Sequence, residues 1–310
     1  MGRYIIKRVL LLIPVLAGIT FVAFLLLKAI PGDPVLNLVG ERSSPEIIEQ
    51  LRKEIGSDRG LLQQYAGYLG LLARGDFGRS YHTNRDVLSD IAAKLPNTLR
   101  LALAAMMIAV PLGVMAGCAA AYHKSGALAA AVEAFSVAGV SVPIFWSGLL
   151  IMLLVSLELR LLPPSGTGGL RFIILPAAVL SIPAMATLAR VTRTAVSEVL
   201  VMPHVNTARA KGLTATRITL LHVMKNAIVP VVTIIGLDFG SYLNGAVVTE
   251  TIFGWDGLGR FTMEGITMRD YPVILGCVIA GTVLFVLVNL LTDLLYHYLD
   301  PRVRLYDRKK

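Results

Sequence analysis

Charge is what this sequence has least of. Of 310 residues, 16% are Asp, Glu, Lys or Arg, where a water-soluble domain carries about a quarter. So little charge cannot cover a soluble globule, and the 55% of hydrophobic residues and mean hydropathy of +0.69 exclude a disordered or fibrous chain. Cysteine is nearly absent. Cys118 and Cys277 both lie in apolar runs, so no disulfide framework exists. No G-x-x-x-x-G-K-[ST] occurs, which excludes a P-loop of this chain's own for ATP phosphates. The apolar runs contain no histidine and no paired acids, which removes the Ser/His, paired-Asp and zinc-ligand sets of an intramembrane hydrolase. None of the five histidines has ligand spacing to Cys, Asp or Glu, so no metal site is expected.

What is present is six apolar runs: residues 9–27, 101–121, 135–157, 172–189, 227–249 and 271–292. A bilayer core about 30 Å thick takes roughly 20 residues of helix, and each run is near that length. They are continuously apolar rather than alternating, which selects helices over barrel strands. The first run follows Arg3, Lys7 and Arg8 but ends without a small-x-small cleavage site, so it reads as a retained helix. The fold class predicted is an all-α polytopic membrane protein with six transmembrane helices. Sorting charges by loop leaves a net +12 on the side of the two termini and the 190–226 loop, and −2 on the other. Basic loops stay in the cytoplasm, which places both termini there. The overall +9 and pI near 9.7 therefore describe topology, and no nucleic-acid partner is expected.

The chain divides into residues 1–30 (N-terminal segment and first span), 31–98 (an external helical cap) and 99–310 (the transmembrane core). In the cap, Ser44 and Pro45 start a helix with Ile47, Ile48, Leu51 and Ile55 on one face. Further apolar faces follow at Leu61, Leu62, Tyr65, Leu69 and Leu72, and at Val87, Leu88, Ile91 and Leu95. In the cytoplasmic loop 190–226, His204 to Leu213 has small residues at 208 and 210 that permit close approach by another protein, with Gly212 as a helix C-terminal residue. This segment reads either as a docking helix or as a solvated surface helix. Asp238 is the one charge within its run, between Gly236 and Gly240. An acid there costs roughly 2.5–3.5 kcal/mol, so it faces a cavity or a partner: a pathway-lining acid that meets an ammonium or a metal cation, or an acid paired with a neighbouring subunit. Prolines 143, 176 and 183 kink their spans, and Gly113-x-x-x-Gly117 and Gly236-x-x-x-Gly240 supply faces for helix packing. The external loop 250–270 mixes Phe253, Trp255 and Phe261 with Asp256, Arg260, Glu264 and Arg269. Its four glycines favour a re-entrant or docking turn over a simple aromatic belt, with Trp255 and Arg260 as candidates to meet a binding protein.

The motif Ala208-Arg209-Ala210-Lys211-Gly212, followed by Lys225-Asn226-Ala227-Ile228-Val229-Pro230, resembles the EAA coupling loop of ABC-importer permeases, in the branch that handles dipeptides, oligopeptides and nickel. The Glu-Ala-Ala positions fall on Asn206-Thr207-Ala208. Similar to the same branch, in order, are Pro31-Gly32-Asp33-Pro34, Gly75-Asp76-Phe77-Gly78, Val140 to Trp146, Leu162-Pro163-Pro164-Ser165-Gly166, Ile252 to Arg260, Arg269-Asp270-Tyr271-Pro272-Val273 and Asp300-Pro301-Arg302. The resemblance covers essentially the whole chain. It implies a type I ABC importer permease fold in a bacterial inner (plasma) membrane, and a non-catalytic subunit. Such a subunit forms a heterodimer with a second homologous permease. Two cytoplasmic ATPases hold ATP and Mg, and a separate external protein binds the substrate. Asn206, Thr207, Ala208, Arg209, Ala210, Lys211 and Gly212 then form the ATPase-coupling segment, and this chain binds no cofactor itself. The substrate implied is a di- or oligopeptide, with nickel or a metal chelate as the alternative. An ion-coupled secondary transporter is the alternative of another class. One midspan charge and no visible inverted repeat speak against it.

Overall fold

A computed structural model describes residues 2–29, 46, 49, 60–72, 74–123, 126–243 and 246–299. The expected helix starting at Ser44–Pro45, and the Pro31–Pro34 and Asp300–Arg302 motifs, lie outside the described residues. Among those described the chain is helical, apart from an isolated antiparallel bridge between Arg79 and Asp86. The helices are α1 (Gly2–Ala29), α2 (Leu61–Leu72), α3 (Val87–Tyr122), α4 (Ala127–Ser141) and α5 (Ile144–Glu158). They continue as α6 (Leu170–Leu200), α7 (Pro203–Ala210), α8 (Ala215–Leu243), α9 (Val247–Ile252), α10 (Leu258–Met268) and α11 (Tyr271–Leu299). Four of them, α3, α6, α8 and α11, are long and apolar enough to cross a membrane, and the α4–α5 pair makes five if counted as one broken span. α1 holds a shorter apolar stretch, Ile13–Leu26.

Helices in lipid have no hydrophobic force between them, so close backbone approach is what associates them. The α3–α6 pair is built that way. A Cβ at Gly113 would stand 2.9 Å from Leu188 Cβ, and one at Gly117 would stand 2.5 Å from the Ala189 carbonyl. Gly139 of α4 meets Ala186 of the same helix, and Gly236 and Gly240 of α8 seat Thr292 and Phe285 of α11. The glycine pairs therefore act as packing surfaces. α6 is the centre of the bundle, with 56% of its apolar window buried against 22% for α8.

Three elements depart from the apolar runs. Run 135–157 is two helices bent by 103°, because Pro143 has no N–H to donate and holds Val142 extended at φ −77, ψ 124. The second half of α5, Met152–Glu158, is π-helical. The apolar face at Val87–Leu95 is not a helix of the cap but the first turns of α3, capped where the Asp86 side chain accepts from Ser89 N at 2.8 Å. At the other end, α6 runs eleven residues past position 189, and α8 begins at Ala215 with a π-helical turn at Thr219–Val223. Most of the 190–226 loop is thus helix.

Candidate functional sites

At the α6–α8 junction the chain makes a short helix on a buried seat. Pro203 opens α7, where its missing N–H costs nothing. Val205 and Ala208, one turn apart, point into a cluster of Ala121, Val196, Leu200, Ile218, Val223 and Ala227. Asn206, Thr207, Arg209, Ala210 and Lys211 face outward. The helix closes in a Schellman motif: Leu213 N donates to Ala208 O at 3.3 Å and Gly212 N to Arg209 O at 2.9 Å. That geometry requires the left-handed φ of +74 at Gly212, and Leu213 folds back onto the same cluster. Of the two small residues, Ala208 faces its own core and only Ala210 lies on the outward side. Helix α7 thus has two faces, one that anchors and one that is presented.

At the opposite end, an acid that the sequence reading passed over organises the loop. Glu250 is fully buried. Its Oε1 accepts from Thr98 Oγ1 at 2.9 Å and its Oε2 from Arg260 N at 2.9 Å, while Thr98 Oγ1 accepts from Leu258 N at 2.7 Å. Burial pushes the carboxyl above the usual carboxylate range, and the donors from Arg260, Thr98 and Gly259 draw it back down. A Cβ at Gly257 would stand 2.5 Å from this carboxylate, and one at Gly259 would stand 3.0 Å from Oε2. Those glycines let the backbone wrap the acid. The spacing Glu250 to Gly257 and Gly259 was the available signal. Lys94 pairs with Asp256 and lies over the Phe261 ring, tying the loop further to α3.

This corrects the expectation for Trp255. Its side chain is 4% exposed, packed on Leu101, Ala105, Ala177 and Leu180, and its Nε1 donates to Asn97 O at 3.0 Å. An indole sealed between α3 and α6 offers no docking face. Arg260 is half-buried, bonded to Glu264 Oε1 at 2.9 Å and to the Gly254 carbonyl at 3.0 Å, so part of it reaches the surface. A second buried acid, Asp270, accepts from Ser80 Oγ at 2.6 Å and holds the 74–86 segment against the start of α11.

Asp238 sits on α8 one turn before Tyr242, whose hydroxyl donates to Leu180 O of α6 at 2.7 Å. It is half-buried, and its Oδ2 is sealed from solvent with no hydrogen-bond partner among the described residues. Its flanking glycines pack on α11. A separate cavity of about 380 Å³ opens at the α4–α5 break, lined by Phe135, Gly139, Pro143, Ser147, Ile182 and Pro183. Among the described residues no three His, Cys, Asp or Glu side chains are placed to hold a metal ion.

A bundle of apolar spans with a short helix at one end and a clamped loop at the other is the architecture of a multi-pass membrane protein. The chain belongs to the family described as binding-protein-dependent transport system inner membrane component, which matches residues 109–305, with the family's N-terminal component matching residues 1–102. It is therefore a multi-pass inner-membrane protein and a permease component, not a catalytic subunit. Relatives include the di/tripeptide transport system permease protein DppB of Pseudomonas aeruginosa, 39% identical over 98% of this chain and 99% of its own. The dipeptide transport system permease protein DppB of Escherichia coli K12 is 38% identical over the same shares. That of Alkalihalophilus pseudofirmus is 37% identical over 98% of this chain and 100% of its own. Among solved structures, the inward-facing MetNI methionine ABC transporter is 15% identical with a TM-score of 0.55, covering 69% of this chain and 97% of that one. An amino acid ABC transporter has 19% identity and a TM-score of 0.50 over 68% and 94%. At that identity the likeness is one of fold.

Proposed function

We propose that this chain is the permease subunit of an ATP-driven, binding-protein-dependent importer of di- and oligopeptides. The observation that carries the reading is α7: an eight-residue helix whose Val205 and Ala208 are rooted in the chain's own core while Asn206, Thr207, Arg209, Ala210 and Lys211 face outward. Such a helix transmits a push from outside into α6 and α8, as a coupling helix to an ATPase must. The full-length relatives named for dipeptides support the substrate class. Nothing among the described residues favours nickel over peptides.

On this reading the chain crosses the membrane six times, with α1 as the first span and both termini in the cytoplasm, which the net +12 on that side supports. It pairs with a second homologous permease, and two cytoplasmic ATPases bind the ATP and Mg. An external binding protein delivers peptide to the outer face, where the surface edge of Arg260 and Glu264 belongs to the docking area. Asp238 lines the path and meets the peptide ammonium. The domain division follows: residues 1–30, the outer segment 31–98, and the core 99–310 with the coupling segment at 190–226.

The test is uptake of a labelled dipeptide into proteoliposomes that hold this chain, its co-encoded permease and ATPases, with the cognate binding protein outside the lumen. ATP-dependent uptake that requires the binding protein is the expected result. Uptake driven by an ion gradient without ATP overturns the reading.

A further inference from the structure

The sequence places residues 61–72 in an external helical cap, and the geometry of α2 adds where that helix sits. α2 carries no charged residue. Its Tyr65 lies against the flank of α1. The Tyr65 hydroxyl donates to Ala17 O at 2.7 Å and lies 3.0 Å from Thr20 Oγ1. Its ring meets Phe21 edge-on at 5.2 Å and Phe24 at 5.7 Å. On the same side Tyr65 and Tyr68 pack with Tyr271, Ile274 and Leu275 at the start of α11.

Depth follows from the register. Phe24 precedes the end of α1 at Ala29 by five residues, about 7.5 Å along the axis, and Ala17 precedes it by twelve, about 18 Å. The uncharged stretch 9–27 is the part of α1 that fits a hydrocarbon core. α2 therefore contacts α1 below its outer end: Phe24 lies within the roughly 5–10 Å to which an interfacial helix beds into the headgroup–acyl boundary, and the Tyr65 hydroxyl reaches deeper, to Ala17. The face turned away from α1 and α11 presents Leu62 (71% exposed), Ala66, Gly67, Gly70 and Leu71, with Gln63 as its polar side chain. On the same stripe of α1 as Ala17, Thr20 and Phe24, toward its N-terminus, the helical register places Leu10 and Ile13, which are 59% and 62% exposed.

We propose that α2 is an interfacial helix embedded in the outer leaflet, with lipid acyl chains as the occupant of its Leu62–Ala66 face. Tyr65 anchors it to α1 by reaching inward to the Ala17 carbonyl. With no cation on α2, the attachment rests on apolar area and this hydrogen bond, and it is indifferent to lipid charge.

The experiment uses the full chain with Cys118→Ala and Cys277→Ala, reconstituted together with its co-encoded permease and ATPases in phosphatidylcholine nanodiscs and spin-labelled at Leu62→Cys or, in a second variant, Ala66→Cys. Collision with dissolved oxygen is compared with collision with a water-soluble nickel chelate. Met107→Cys on the exposed face of α3 supplies the lipid reference, and Arg74→Cys the water reference. Both α2 labels are expected to match Met107→Cys, with an oxygen-to-chelate ratio severalfold above that of Arg74→Cys. The ratio should not change when phosphatidylglycerol is added. A ratio like that of Arg74→Cys overturns the proposal in favour of a water-facing cap. Protection from both reagents overturns it in favour of a covering protein.

Discussion

Replacing Gly212 isolates backbone conformation as a variable in coupling. A Cβ at this position would find no atom within 4 Å, so a side chain meets no steric penalty. The residue's φ is +74, a region that L side chains enter at about 1–2 kcal/mol. Asn, which tolerates the left-handed conformation, pays less than Ala, and a β-branched Val pays most. The whole effect falls on the two bonds that close α7, Leu213 N to Ala208 O and Gly212 N to Arg209 O. A loss of about 1–2 kcal/mol is roughly a 5–30-fold shift toward the frayed form. Hydrogen exchange at the Leu213 amide should accelerate by that factor in the order Asn, Ala, Val. ATP-driven uptake should fall in the same order, while membrane insertion stays normal. Gly212→Glu, which adds bulk and charge beside the presented face, should leave the ATPases hydrolysing ATP without matching uptake. Equal behaviour of Asn, Ala and Val, or normal coupling in Gly212→Glu, would refute the assignment of α7 as the coupling helix.

Thr98→Val should destabilise the outer end by about 1–3 kcal/mol, because it strips a donor from the buried Glu250 and the acceptor from Leu258 N. A thermal midpoint lowered by several degrees, and restored by Thr98→Ser, checks it. Trp255→Phe keeps most of the buried ring and loses the bond to Asn97 O, at about 1 kcal/mol. Binding-protein affinity should be unchanged, and an affinity loss without a stability loss would show that the indole is a contact after all. Asp238→Asn should cut dipeptide uptake by about tenfold, if a charge-assisted bond to the peptide ammonium is lost, with subunit assembly intact. Uptake equal to wild type removes Asp238 from the path.

The helical class and the positions of the long spans were legible because lipid leaves few alternatives: an uncharged run of about 20 residues has to satisfy its backbone within itself. Gly113, Gly117, Gly236 and Gly240 were readable as packing faces for the same reason. The short helix proposed to couple to an ATPase was legible as a segment, but its polarity was not. Which of Ala208 and Ala210 faces the core depends on where α6 delivers the chain, and no local pattern encodes that. The clamp at Glu250 escaped notice because Thr98, which donates to it and ties it to α3, lies 152 residues away in the sequence. Trp255 illustrates the converse error, since an aromatic in a loop looks available until its neighbours close over it.

The sequence alone thus determined a helical membrane protein and the family it belongs to, since each rests on one-dimensional facts: run length and residue order. Tertiary structure decided the two faces of α7, the burial of Glu250 and the docking of α2 on the flank of α1. Each of these is settled by contact between segments distant in the chain, where packing and hydrogen-bond satisfaction outweigh local preference.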